Sequence, residues 1–307
     1  MLAMRVCPDV AALRSRLVGS PVTRFAPSPT GYLHLGHVVN AIYVWGIART
    51  LGAAVLLRIE DHDRLRSRAP FEAAILDDLD WLGFAPDEGR EPIVRQSERT
   101  SAYEAALADL RARHHVYACG CSRKEFGGGR YPGTCRTRSL PEGRGRGLRV
   151  QIDPGAESFV DALAGAQVQD PAADSGDLLL RDRDGHWTYQ FAATVDDHRD
   201  GVTLVVRGAD LLSSTGRQLR LARMLGRIDP PSFLHHPLLY DATGRKLSKS
   251  DGDTGIRELR AAGHDAADVI GRAAAAAGLL PTRRPVASSA VAELFVERRP
   301  LDLAPGF

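Results

Sequence analysis

Between residues 22 and 113, short apolar runs of strand length alternate with longer stretches whose apolar residues recur every three or four positions. Residues 22–26 and 54–59 are the short runs and predict strands. The first longer stretch starts at Leu35, where Leu35, Val38, Val39, Ile42, Val44 and Trp45 offer an apolar face of helical period. Residues 70–82 and 99–113 predict two more helices. Alternation of this kind builds a parallel sheet with helices on both faces, an α/β fold. The pattern breaks at residues 117–147, rich in Gly and Arg, and resumes with apolar runs at 148–152 and 235–240. Residues 256–280 are Ala-rich and helical in character until Pro281 and Pro285 stop the pattern. Residues 298–307 look frayed. The expected organisation is an N-terminal extension (1–21), a first half of the α/β domain (22–116), an insertion (117–147), a second half (148–245) and a short helical tail (246–307).

Composition changes this picture little. With 307 residues, 44% hydrophobic and 25% charged, the chain can bury a sizeable core in two lobes plus a small insertion. No apolar run reaches membrane-spanning length. Residues 1–21 are interrupted by Asp9, Arg14 and Arg16 and lack a signal-peptide core, which leaves two readings, a short disordered lead or a start placed too early. A net charge of +2 says little about nucleic acid. Its distribution says more, since Arg136, Arg138, Arg144, Arg146 and Arg149 cluster after residue 135; such a run is a solvated loop or a phosphate contact. Of the four cysteines, Cys7 stands apart and is expected to be a free thiol in a reducing cytoplasm.

Two motifs carry the chemistry. After the first strand, Pro27, Pro29 and Gly31 set a turn that leads into the helix at Leu35. His34 and His37, three residues apart, then sit on one side of a helix start, where unpaired backbone N–H groups and the helix dipole favour an anion. Gly36 leaves room for a flat ring such as adenine. Two imidazoles over an anion site suit a triphosphate whose charge grows during displacement; the plainer alternative makes them caps and surface groups. The second motif, Lys246-Leu247-Ser248-Lys249-Ser250, follows the turn Asp241-Ala242-Thr243-Gly244. Its lysines suit a loop that closes on phosphates as mobile point charges.

Taken in this order and spacing, His34-Leu35-Gly36-His37 and Lys246-Leu247-Ser248-Lys249-Ser250 resemble the HIGH and KMSKS signatures of class I aminoacyl-tRNA synthetases. The segments Arg24–Gly31, Leu57–Asp63, Trp187–Ala192, Val195–His198 and Val205–Leu212 resemble the glutamyl branch and its short paralogue, the glutamyl-queuosine tRNA(Asp) synthetases. The resemblance covers roughly residues 22 to 280. It implies the class I Rossmann-like parallel sheet with a zinc-bearing insertion and a short helical C-terminal region. Only 57 residues follow Ser250 (307 minus 250), too few for the large helical anticodon-binding region of a discriminating glutamyl-tRNA synthetase, which favours the short family.

The implied substrate is glutamate, with two carboxylates and one ammonium. Arg24 and Arg207 each suit a carboxylate through a planar fork, Glu60 suits the ammonium, and Tyr189 adds a hydroxyl, with Phe25, Ala26, Pro27 and Ser28 beside them. Which arginine takes which carboxylate stays open, and plainer roles exist: Glu60 as a partner of Arg58 or Arg64, Arg207 as a strand-end ion pair with Asp210. ATP, with Mg²⁺, is expected at His34, Gly36, His37 and Lys249, with His34, His37, Lys246 and Lys249 assisting departure of pyrophosphate. By the same resemblance, Cys119, Cys121, Tyr131 and Cys135 hold one structural zinc, with His114 and His115 as rival fourth ligands. Three thiolates and one oxygen complete a tetrahedron, and the metal staples a Gly-rich segment too poor in apolar residues to fold unaided. The implied partners are ATP, L-glutamate and queuosine-bearing tRNA(Asp), the implied state a monomer. A minimal enzyme charging tRNA(Glu), a non-catalytic glutamate or tRNA sensor, and a nucleotidyltransferase acting on a small cofactor are the alternatives.

Overall fold

The computed structural model describes residues 6–63, 66–87, 93–240 and 255–296. The chain opens with a short helix, α1 (Val10–Arg14), whose first turn is capped by the Asp9 carboxylate, accepting from Ala12 N–H at 2.9 Å. Leu13 is buried in the main core and the Val6 carbonyl accepts from Tyr43 Oη at 2.6 Å. Val6 and Leu13 therefore tie this part of the extension to the domain.

β1 (Val22–Phe25) is buried along its whole length, as a central parallel strand must be. It leads through the Pro- and Gly-rich turn into α2 (Leu35–Leu51), then β2 (Ala54–Ile59), α3 (Ala69–Leu82), β3 (Val94–Arg95) and α4 (Thr100–Arg113). β1, β2 and β3 are parallel, with Val22 opposite Ala54 and Arg58 opposite Val94. α2 carries more than one apolar stripe. It is buried on nearly every side because the sheet lies under it and the tail covers it, and a Cβ on Gly46 would sit 2.3 Å from the Phe295 ring.

β4 (Val116–Cys119) and β5 (Gly147–Val150) flank the Gly/Arg-rich segment and pair antiparallel, as do β5 and β8 below. The strand expected from Leu148 is thus present, but in this small antiparallel sheet and not in the parallel one. A hairpin, β6 (Glu157–Asp161) and β7 (Gly165–Gln169), comes next, then the short α5 (Pro171–Asp174) and β8 (Leu178–Arg181). α6 (Tyr189–Arg199), β9 (Leu204–Gly208), α7 (Thr215–Met224) and β10 (Ser232–His236) return the chain to the parallel layer. β10 pairs parallel with β9 and, through Phe233 and Asp161, with β6. The two parallel groups meet at Val22, whose carbonyl accepts from Thr203 N–H at 2.9 Å. Pro237 ends the run expected to extend to residue 240.

The Ala-rich tail forms two helices, α8 (Ile256–Ala261) and α9 (Ala266–Ala276), separated at Gly263, followed by a 3-10 segment (Ser288–Leu294) against α2. Leu33 and His34 are bridged to Gly255 and Ile256, with Ile256 N–H donating to the Leu33 carbonyl at 3.0 Å. The turn ahead of α2 and the start of the tail are therefore stapled together. Among the described residues no helix is long and apolar enough to cross a membrane.

Candidate active site and metal centre

The carboxyl ends of β1, β2, β9 and β10 open onto one cleft of about 470 Å³, in the place where ligands bind in open α/β sheets. Its walls include Arg24, Phe25, Ala26, Pro27, Ser28, His34, Gly36, His37, Glu60, Tyr189 and Arg207. Every described residue singled out from the sequence for glutamate or ATP therefore lies on it. Lys246 and Lys249 fall outside the described residues.

The two histidines are caps as well as cleft walls. His34 is the N-cap of α2; its Nδ1 accepts from Gly36 N–H at 3.0 Å, and His37 Nδ1 accepts from His34 N–H at 3.1 Å. The rings stand 4.0 Å apart at their centroids. His236, on the opposite wall, lies between the Pro237 carbonyl and Asn40, and burial pushes its imidazole down to about 4. It is uncharged at neutral pH.

The arginines differ in their company. Arg24 Nε donates to Asp197 Oδ1 at 3.1 Å, and Arg58 Nη1 donates to the same oxygen at 2.7 Å. Arg58 also reaches Glu60 at 3.2 Å, so the partnership considered for Glu60 exists while Glu60 still faces the cleft. Behind them Arg99 binds Asp196 at 2.9 Å and Asp200 at 2.7 Å, and Tyr103 Oη donates to Asp196. Burial pushes the Asp197 carboxyl up, but the Arg24 and Arg58 guanidinium groups outweigh it and hold it down to about 2.

Arg207 is buried, 4% exposed, and among the described residues no carboxylate lies within ion-pairing distance, Asp210 included. Neutral acceptors hold it from behind: Gln218 Oε1 at 2.6 Å, Thr215 Oγ1 at 2.9 Å and His235 Nε2 at 2.9 Å. Its two long contacts, both 3.5 Å, go to Tyr189 Oη and the Leu211 carbonyl, and these two partners line the cleft. The loosely engaged edge of the guanidinium thus faces the cavity. Burial pulls its pKa downward, the mark of a cation short of counter-charge. Sequence reasoning missed Asp161, Asp197, Thr215, Gln218 and His235 as members of this site. Their only local signal is a polar residue inside an apolar strand or helix face.

In the insertion, the Sγ atoms of Cys119, Cys121 and Cys135 lie within 4.8 Å of one another. Cys121 and Cys135 approach to 3.5 Å, and Tyr131 Oη sits 3.3 Å from Cys119 Sγ while accepting from Cys135 N–H at 2.9 Å. Sulfurs bound tetrahedrally at about 2.3 Å stand roughly 3.8 Å apart, so three thiols and the phenol fit a zinc ion. Burial opposes ionisation of Cys135, yet the Gly120 N–H and the neighbouring thiols bring it down to about 7. His114 and His115 instead contact the Met224 carbonyl and Gln151, and neither joins the cluster. Tyr131 is pinned by Gly176: that residue has φ +70°, and a Cβ there would meet the Tyr131 carbonyl at 2.0 Å. Two members of the arginine run are structural: Arg136 pairs with Asp177 at 2.8 Å, and Arg149 lies buried, 3.8 Å from the Tyr131 ring and 3.4 Å from Cys119 Sγ.

Residues 21–270 match the profile of tRNA synthetases class I (E and Q), catalytic domain. A glutamyl-Q tRNA(Asp) synthetase of Nitratidesulfovibrio vulgaris is 43% identical over 282 residues, 84% of this chain and 86% of that one. One from Bordetella bronchiseptica is 47% identical over 245 residues, 75% of each chain. The crystal structure of a glutamate-tRNA synthetase from Elizabethkingia anophelis superposes with a TM-score of 0.74 at 27% identity, covering 90% of this chain; this chain spans 65% of that one. With the cleft where such a sheet puts it and these likenesses across most of its length, the chain belongs to the class I tRNA synthetases of the E and Q branch, ATP-dependent ligases, and within them to the glutamyl-Q tRNA(Asp) synthetases.

Proposed function

We propose that the protein activates L-glutamate with ATP, without needing tRNA for that step, and transfers the glutamyl group to queuosine at the wobble position of tRNA(Asp). The observation that carries the first half is Arg207: a buried guanidinium braced by neutral groups, its loose edge turned into a cleft that Arg24, Glu60 and Tyr189 share. Arg24 and Arg207 take the two carboxylates by charge-assisted hydrogen bonds. Glu60 takes the ammonium through Oε2, since Arg58 occupies Oε1. A glutamate carboxylate oxygen attacks the α-phosphorus of ATP, brought in with Mg²⁺. The bond to pyrophosphate breaks, and glutamyl-adenylate forms. His34 and His37 at the α2 start, with Lys246 and Lys249, stabilise the charge that leaves on pyrophosphate, so positioning and electrostatics carry the step. A nucleophile on the queuosine base then attacks the acyl carbon and AMP leaves.

The acceptor rests on likeness to the bacterial relatives named above, and the domain limits (22–116, 117–147, 148–245, 246–307) follow the same reading. Cys119, Cys121, Tyr131 and Cys135 hold one structural zinc, which when bound crosslinks the insertion. A monomer in the reducing cytoplasm suits these thiols. The test is transfer of radiolabelled glutamate, with ATP, onto tRNA(Asp) bearing queuosine, onto unmodified tRNA(Asp) and onto tRNA(Glu). Label is expected on the queuosine form alone. Label on tRNA(Glu) overturns the acceptor, and no glutamate-dependent ATP–pyrophosphate exchange overturns the activation step.

A further inference from the structure

The group behind Arg207 is itself held in one chemical form. His235 is completely buried, in β10, 28 residues from Arg207 in sequence. Arg207 Nε carries a proton it cannot lose, so it only donates; at 2.9 Å, His235 Nε2 must therefore be the bare acceptor nitrogen. The imidazole proton is then on Nδ1, which faces Asp161 Oδ2 at 2.7 Å. Asp161, at the end of β6, is equally buried and is itself fixed: Oδ1 accepts from Leu163 N–H at 2.9 Å and Ala164 N–H at 2.8 Å, and Oδ2 also accepts from His235 N–H at 3.1 Å. The chain Asp161–His235–Arg207 thus runs from a carboxylate satisfied by backbone amides, through one tautomer, to the guanidinium.

The contrast with Arg24 and Arg58 gives the arrangement its meaning. Those two share the Asp197 carboxylate directly, which fixes them and cancels much of their charge. Arg207 is also held by several hydrogen bonds, yet among the described residues every acceptor it donates to is neutral, and the imidazole keeps the Asp161 charge one ring away. Positioning has been separated from neutralisation.

We infer that His235, locked by Asp161 as the neutral Nδ1–H form, is a positioning residue for Arg207: it aims the guanidinium into the cleft and leaves its charge intact for a substrate carboxylate. This rests on the reading that Arg207 binds a carboxylate of glutamate.

The test compares full-length variants in glutamate-dependent ATP–pyrophosphate exchange, measuring KM for glutamate and for ATP separately, with circular dichroism for folding. His235→Phe keeps a ring but removes the acceptor. It is expected to raise glutamate KM by about tenfold or more, the scale of one charge-assisted hydrogen bond, with ATP KM nearly unchanged. His235→Gln retains a neutral acceptor for Nε–H and is expected to recover most of the loss. His235→Glu keeps an acceptor but brings a charge onto Arg207, and is expected to raise glutamate KM as His235→Phe does. Arg207→Ala separates the two claims. If it leaves glutamate KM unchanged, the carboxylate reading itself falls. If it raises glutamate KM while His235→Phe does not, or if His235→Phe shifts both KM values alike, the positioning role falls alone. Should the buried substitutions fail to fold, ¹⁵N-histidine NMR of the natural protein decides: an unprotonated Nε2 with a protonated Nδ1 at His235 is expected, and the opposite tautomer or a doubly protonated ring overturns the inference.

Discussion

Replacing Asp197 by Asn isolates the charge at the centre of the buried arginine network. Both guanidinium groups donate to a single oxygen, Oδ1, with Arg24 Nε at 3.1 Å and Arg58 Nη1 at 2.7 Å, so an amide carbonyl placed there keeps both hydrogen bonds and loses only the charge. The size of that loss follows from the carboxyl's own titration. Its depression from 3.8 to about 2 corresponds to about 2.5 kcal/mol of folding stability at neutral pH. Because the folded value is the lower one, this contribution is complete above pH 3.8 and is lost as pH falls toward 2. At pH 3 about 1.3 kcal/mol should remain. Urea unfolding of both proteins, followed by the fluorescence of the three tryptophans, supplies the comparison. The expected gap is about 2–3 kcal/mol at pH 7, narrowing to about half of that at pH 3. A gap below about 0.5 kcal/mol at pH 7, the size of an ordinary surface change, would refute the reasoning. So would a gap of equal size at both pH values, which would assign the effect to packing and not to charge.

Metal analysis of purified protein should find about one zinc per chain. Cys135→Ser should lose most of it and expose the insertion to proteolysis, whereas a metal-free protein with the insertion intact would remove the site. In α9, Gly271 leaves no room for a side chain, since a Cβ would come within 1.8 Å of the Arg284 carbonyl. Gly271→Ala should therefore destabilise by about 1–3 kcal/mol in thermal or urea unfolding, despite alanine's better helix propensity, and an unchanged or raised Tm would contradict the packing.

Legibility followed sequence distance. β1, α2, β2 and α3 were readable because strand and helix periods, prolines and glycines act within a few residues, and the boundaries agree to within one or two. Arg24, Glu60, Tyr189 and Arg207 each sit in a segment with a family pattern, and all four line the cleft. Their supports were not legible. Asp161 and His235 are 74 residues apart and Arg24 and Asp197 are 173 apart, and nothing local distinguishes such a residue from any polar group in a strand or helix. The same holds for α2, whose apolar stripe suggested one buried face. The tail buries a second, a fact fixed by residues near 291–295. β5 failed for a different reason: an apolar run of four to six residues states that it is a strand but not which sheet it joins.

The supports, more than the motif residues, explain why a cleft lined by Arg24 and Arg207 is not strongly basic. Arg24, Arg58 and Arg99 are matched by Asp196, Asp197, Asp200 and Glu60, so that network carries no net positive excess of its own. A substrate carboxylate taken by Arg24 would share that guanidinium with Asp197. Arg207 stands outside the network, cushioned by Thr215, Gln218 and His235, none of them charged in the form the hydrogen bonds require. The positive charge least matched by carboxylates is thereby concentrated at Arg207, and the matched network sets the shape around it. On this account the pull of the cleft on a substrate carboxylate depends on keeping residue 235 neutral as much as on keeping residue 207 an arginine.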